Sequence, residues 1–308
     1  MSSEVPSKEA ESGEGGFFDS LRRMLPEQIS SPGPLVPVLR FTGPIGVVTP
    51  LRPGLSLSTT ALAIQRAFSI RGAKAVAIQI NSPGGSPVQS VLIHNRIRTL
   101  AKEKKLPVYT FAEDVAASGG YILAMAGDEI YADDSSIVGS IGVISASFGF
   151  DKLIDKIGVD RRVHTAGKNK MTLDPFQPEK PEDVKRIKAI QEDVHEAFIN
   201  LVKERRGEKL NQSDDTLFTG AFWSGKQAVD LGLIDGLADI RSKMREKFGK
   251  NVRMRLVAPE RSLFRRRLRG VFAKAEADWP DAGFSVPSFS DELISALEAR
   301  ALWSRFGL

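Results

Sequence analysis

Three glycine-containing clusters hold the residues of this chain that could do covalent chemistry. The first is Asn81-Ser82-Pro83-Gly84-Gly85-Ser86, directly after the apolar run AVAIQI (75–80). A buried strand that ends in Pro-Gly-Gly and turns into a helix leaves backbone N–H groups free at the carboxyl edge of a sheet. Open α/β folds bind ligands at that edge, and such N–H groups can hold an anion. The same residues also read as a plain tight turn. No Gly-Lys-Ser/Thr follows and the spacing is not GxGxxG, so neither nucleotide-binding loop is present.

The second cluster, Asp114-Val115-Ala116-Ala117-Ser118-Gly119-Gly120-Tyr121, places a serine among small residues at a strand-to-helix junction. Serine there is commonly a helix cap. A sharp bend could instead expose its hydroxyl, and the small neighbours would let a substrate backbone approach. The third is Gly139-Ser140-Ile141-Gly142-Val143, followed about 25 residues later by Ala166-Gly167-Lys168-Asn169-Lys170. A serine nucleophile needs a base. The candidates are His94, His164, His195, the acids, or a lysine whose pKa is lowered by desolvation. His94 and His195 lie mid-helix among charged neighbours and read as surface residues. His164, on an expected strand, leaves a Ser118–His164 set with Asp114 or Asp174 open, although no G-x-S-x-G elbow accompanies it.

Alternating strand and helix patterns position these clusters. The run 37–48 reads as a strand, 58–70 as an amphipathic helix, 73–82 as a buried strand, and 88–105 as a periodic helix. A strand at 106–114, a helix from Ser118 to Ala126, a strand at 128–133 and a helix near 150–157 follow. Pro181 opens a long charged helix to Arg206. This order predicts an α/β layered fold with a mostly parallel sheet and crossover helices. Residues 1–34 read as a flexible arm, 35–256 as the compact domain, and 257–308 as a basic helical tail.

Composition sets the outer limits. The 308 residues are 42% hydrophobic and 26% charged, ordinary globular values, and include no cysteine. That excludes disulfides, thiolate nucleophiles and cysteine-based metal sites, and fits a reducing compartment. The net charge of +5 is uneven: residues 241–269 hold twelve Lys or Arg against two acids, so the remainder sums to −5. A basic balance from one segment is no nucleic-acid signature. The polar, acidic start and the lack of a long apolar run predict a cytoplasmic protein, at most peripheral to a membrane.

Taken in order, NSPGG (81–85), AASGGY (116–121), GSIGV (139–143), a lysine 52 residues after Ser118, and FWSGKQAVDLGLIDGL (222–237) resemble the signal peptide peptidase SppA-like family of Ser–Lys serine peptidases. The resemblance runs from about Val36 to Ile240. It implies a crotonase- or Clp-like core with Ser118 as nucleophile and Lys170 as general base, Lys168 being the fallback. It further implies that Ser140 orients the lysine, and that the N–H of Gly85, with that of Gly119 or Ser118, forms the oxyanion hole. Lys170 must then sit in a dry site to be neutral. The family also implies a ring-like homo-oligomer, a tetramer or octamer. Its expected substrates are unfolded or released peptides such as cleaved leader peptides, with small or apolar residues at the cut. No cofactor or metal is implied.

Two departures stand beside this. Membrane-facing relatives usually carry an N-terminal transmembrane anchor, and none is visible here. Membrane contact is left to Phe17–Leu25 or to 261–272, where Leu263, Phe264, Leu268, Val271 and Phe272 lie among five arginines. The second is Tyr121-Ile122 where two aromatics are common. The rival readings are a crotonase-like acyl-CoA enzyme, with Glu113 or Asp114 as its carboxylate, and a non-catalytic scaffold of the same fold.

Overall fold

The computed structural model describes residues 33–46, 54–257, 300–301 and 303–307. The stretches 17–25 and 261–272, where the sequence alone leads one to expect membrane contact, lie outside them, as does most of the expected arm and tail. Strands β1 (Leu35–Thr42), β2 (Val76–Ser82) and β3 (Val108–Ala117) form the centre of one sheet. They are joined through helices α1 (Leu57–Ser69) and α2 (Pro87–Lys104). β4 (Glu129–Ala132), β5 (Ile137–Gly139), β6 (Phe222–Ser224), β7 (Gly236–Leu237) and β8 (Arg253–Leu256) complete it. The main path runs β6-β5-β3-β2-β1-β8, with β4 pairing β3 and β7. Every pairing is parallel except β5 with β6. The expected α/β layering with a mostly parallel sheet is therefore what forms.

Side-chain alternation sorts the two faces. Val76, Ile78 and Ile80 of β2 join Leu39, Phe41 and Ala112 under α1, α2 and the short α3 (Gly119–Ala124). Ala75 and Ala77 join Val36, Val38, Tyr109, Phe111 and Tyr131 on the other face, which α8 (Ile240–Phe248) covers through Met244. Ser56 caps α1 in a reciprocal capping box with Thr59, and Ser86 caps α2 ahead of Pro87. Between α3 and α8 lie α4 (Asp151–Lys156), α5 (Pro181–Arg206), α6 (Asp214–Leu217) and α7 (Gly225–Asp230). The tail makes a contact the sequence did not suggest: Phe306 is buried against Val115 and Ala117, and its ring meets Phe222 edge-on at 5.2 Å.

His94 corrects the sequence reading. It is not a surface residue: it lies on the buried face of α2, 3% exposed, beside Ile93 and Ile97. Charged residues surround it in sequence, but at helical spacing it falls with the apolar set. Its Nδ1 is 3.0 Å from Asn95 Oδ1, while Nε2 has no hydrogen-bond partner. Burial lowers its pKa, and Arg205 and Arg98 add to this against the Asn95 contact. The folded chain therefore holds His94 neutral. Its contribution to stability is complete above the unfolded histidine pKa, about 6.5, and is lost as pH falls below it. Thermal unfolding from pH 7.5 to 5 should show a melting temperature that drops with acidity, and His94→Leu should flatten that drop.

Candidate active site

The nucleophile candidate sits where β3 ends. Val115, Ala116 and Ala117 pair with Ile137, Val138 and Gly139 of β5, and the Ser118 N–H donates to the Gly139 carbonyl at 2.8 Å. Ser118 itself has φ 52° and ψ −121°, a conformation that a residue with a Cβ rarely adopts. Its backbone carbonyl accepts from Tyr121 and Ile122 N–H and starts α3. Its side chain makes no cap hydrogen bond. The capping role that competes for a serine at this position is thus not the one it fills. A strained turn holds out an unengaged hydroxyl.

The Pro-Gly-Gly turn forms the facing wall. A Cβ on Gly84 would come within 2.7 Å of Ser118 Cβ and 2.9 Å of the Ala117 carbonyl oxygen, so the two turns touch backbone to backbone. Gly85 has φ 136°, and a Cβ there would lie 2.2 Å from the Ile45 carbonyl oxygen. Ile45 N–H donates to Gly84 O, and Ser86 N–H donates to Ile45 O, both at 2.8 Å. This bridging spans the Gly85 N–H and leaves it without an acceptor among the described residues. The Gly119 N–H, first in α3, is likewise unused. The position of a Gly119 Cβ would be 3.4 Å from the Gly85 nitrogen, so the two free donors are neighbours. Paired N–H groups beside a free hydroxyl can receive the oxyanion of an acyl-transfer step.

Ser140 closes the third side. It is 4% exposed, has φ 55°, and its N–H donates to Ala221 O at 2.7 Å, one residue beyond the carbonyl that holds Ser118. His195, which the sequence reading placed on the surface, is half-buried on α5 with Nε2 3.1 Å from the Ile141 carbonyl. A carbonyl only accepts, so that nitrogen carries the proton and pins the residue after Ser140. Nothing in the local sequence of α5 marks this contact, which depends on how α5 crosses β5.

Lys168 and Lys170 lie apart from this cluster of turns. They occupy an exposed segment, 143–180, whose described regular element is α4, and no strand forms around His164. Among the described residues neither ammonium makes an ion pair. Asp114 binds Asn81 and Asp174 pairs with Arg161, so neither carboxylate orients His164. Of the expected site residues, the fold gathers Ser118, Ser140, Gly85 and Gly119 within one chain and leaves the lysine loop on the outside.

The sequence model of Peptidase family S49 matches residues 100–251, and that of Clp protease matches residues 64–135. The chain belongs to the SppA-like peptidase family S49. A chloroplastic serine protease SPPA of Arabidopsis thaliana is 33% identical over 207 residues, 66% of this chain and 29% of that protein. Protease 4 of Haemophilus influenzae is 34% identical over 183 residues, 58% of this chain and 28% of that protein. A Brucella abortus protein named Na(+)/H(+) antiporter NhaA is 52% identical over 294 residues, 94% of this chain but 39% of that protein. The chain thus spans well under half of each of these relatives. No helix among the described residues is long and apolar enough to cross a membrane.

The S49 core carries its strain at Ser118. Backbone held in such a region costs on the order of 1–3 kcal/mol. In denaturant titration Ser118→Gly should therefore be more stable than Ser118→Ala by about 1 kcal/mol. Equal midpoints would show that the turn is relaxed.

Proposed function

We propose that this chain is a serine endopeptidase in which Ser118 is the nucleophile and Lys170 the general base. The observation that carries the reading is the uncapped Ser118 hydroxyl on a left-handed turn, beside the unused N–H groups of Gly85 and Gly119. Neutral Lys170 takes the hydroxyl proton as Ser118 Oγ attacks the peptide carbonyl. The two N–H groups hold the oxyanion. The C–N bond then breaks, the lysine proton passes to the leaving amine, and water hydrolyses the acyl-enzyme. Ser140, buried next to the nucleophile turn, is proposed to orient the lysine. The proposed substrates, as the family resemblance suggests, are extended, unfolded peptides such as released leader peptides, with small or apolar residues at the cut.

In one isolated chain the lysine is exposed to solvent, whereas a lysine base has to be desolvated. The segment that bears it also exposes Ile144, Phe148, Ile157 and Val159, with Phe148 78% exposed. An apolar surface of this kind favours burial against a neighbour. The proposed active form is accordingly a homo-oligomer of ring type. In it the 143–180 segment of one copy brings Lys170, with Lys168 as the alternative, to Ser118 of the same or the adjacent copy.

A fluorophosphonate probe tests the reading in the assembled protein. It should label wild type at Ser118, and Lys170→Ala should slow labelling by about a hundred- to ten-thousand-fold, whereas Lys168→Ala and His164→Ala should not. Labelling that survives Lys170→Ala and is lost in His164→Ala would replace the base. If the pair forms between copies, mixing and reassembling Ser118→Ala with Lys170→Ala should regain activity that neither has alone.

A further inference from the structure

The β2–β3 ladder is interrupted at one place. Ile80 pairs with Ala112 and Ser82 with Ala116, so Asn81 alone stands opposite Glu113, Asp114 and Val115. Two extra residues are accommodated in β3. Because the number is even, side chains beyond the shift keep the faces they had before it: Ala116 continues the helix-side core, and Val115 and Ala117 point to the opposite face. Such an insertion leaves backbone groups without ladder partners, and buried ones must find others.

Asn81 supplies them. Its Oδ1 accepts from the Val115 N–H at 3.3 Å, and its Nδ2 donates to Asp114 Oδ2 at 2.5 Å. The amide orientation is forced, since an N–H only donates and a carboxylate only accepts. Its backbone carbonyl accepts from the Gly43 N–H at 2.9 Å, at the head of the loop that carries Ile45 against Gly84 and Gly85. One residue is therefore bonded to both walls of the site. Three positions downstream in its own chain is Gly84, and three positions after Val115 is Ser118.

We propose that Asn81 is a positioning residue for the peptidase reaction, setting the direction in which β3 delivers Ser118 through its paired bonds to Val115 and Asp114. The proposal rests on Ser118 being the nucleophile. Asn81→Asp places two carboxylates where an amide–carboxylate bond stood, and they repel. The exchange Asn81→Asp with Asp114→Asn restores every bond: one oxygen of the new carboxylate accepts from Val115 N–H and the other from the new amide. A role in general stability would change the melting temperature. A positioning role changes kcat and is rescued by the exchange.

The test measures kcat and KM for a peptide substrate, probe labelling, and assembly state in wild type, Asn81→Asp and the exchange. Asn81→Asp should lose about a hundredfold in kcat, as a displacement near 1 Å can, with KM little changed. The exchange should return to within several-fold of wild type. An Asn81→Asp variant with wild-type kcat, or a folded and assembled exchange as slow as Asn81→Asp, overturns the proposal. If Asn81→Asp does not fold, the exchange against wild type decides, a folded slow exchange again overturning it. Failure of the underlying reading is separately visible, as hydrolysis that persists in Ser118→Ala.

Discussion

A strand can hydrogen-bond along two edges, yet β3 has three partners: β2 on one side, and on the other β4 up to Phe111 and β5 from Val115. The change of partner coincides with the extra residues Glu113–Val115. Those residues are bound from several directions. Glu113 takes bonds from Arg40 and Gln79, its carbonyl accepts from the Ser136 hydroxyl at 2.5 Å, and Asp114 and Val115 meet Asn81. With the irregularity held this way, the last three residues of β3 run on β5 and stop at Gly139. From there the position of Ser118 follows, because its N–H is tied to the final carbonyl of β5.

The materials around that serine are chosen for closeness rather than for stability. Gly84, Gly85 and Gly119 sit where any side chain would strike backbone or Ser90, and Ala116 and Ala117 lead into the turn. Glycine costs conformational entropy on folding, and a serine at positive φ costs more. The compensation lies a few ångströms deeper. Tyr121, fully buried, donates to the Leu233 carbonyl at 2.7 Å, fastening α3 to the chain segment after α7. Buried Arg206 bonds the Gly232 carbonyl and Asp235, and Lys209 also reaches Asp235. Burial alone would raise the Asp235 pKa, but these cations and the Ile130 N–H hold it below the ordinary carboxylate range. The strained turn is thus backed by well-paired polar groups in the packed interior.

Much of the central fold was legible from periodicity. Helices α1, α2 and α5 and strands β2 and β4 have patterns strong enough to be placed to within a few residues, and the order of the motifs pointed to Ser118. Other features depend on contacts far apart in sequence. β6, β7 and β8 are two to four residues long and exist because of what they pair with. The stretch around His164 has strand-like composition but pairs with no strand among the described residues. His94 was misread because Arg96 and Arg98 follow closely in sequence, while at helical spacing it shares the buried face of Ile93 and Ile97. The contacts of His195 with Ile141 and of Phe306 with Ala117 leave no trace in a local window.

The separation between the serine and the lysine has a physical reading of its own. Ser118 needs only a turn, two N–H groups and a fixed backbone, all of which a single chain can build. A lysine that works as a base needs water removed from around its ammonium, and the largely exposed 143–180 segment does not do that alone. The same segment carries exposed apolar side chains. In the proposed reading, the surface that would bury them is also the surface that would dry the lysine, which would join assembly to activation. A lysine suits such a design better than a histidine, because at neutral pH it is inert when wet and basic only when desolvated.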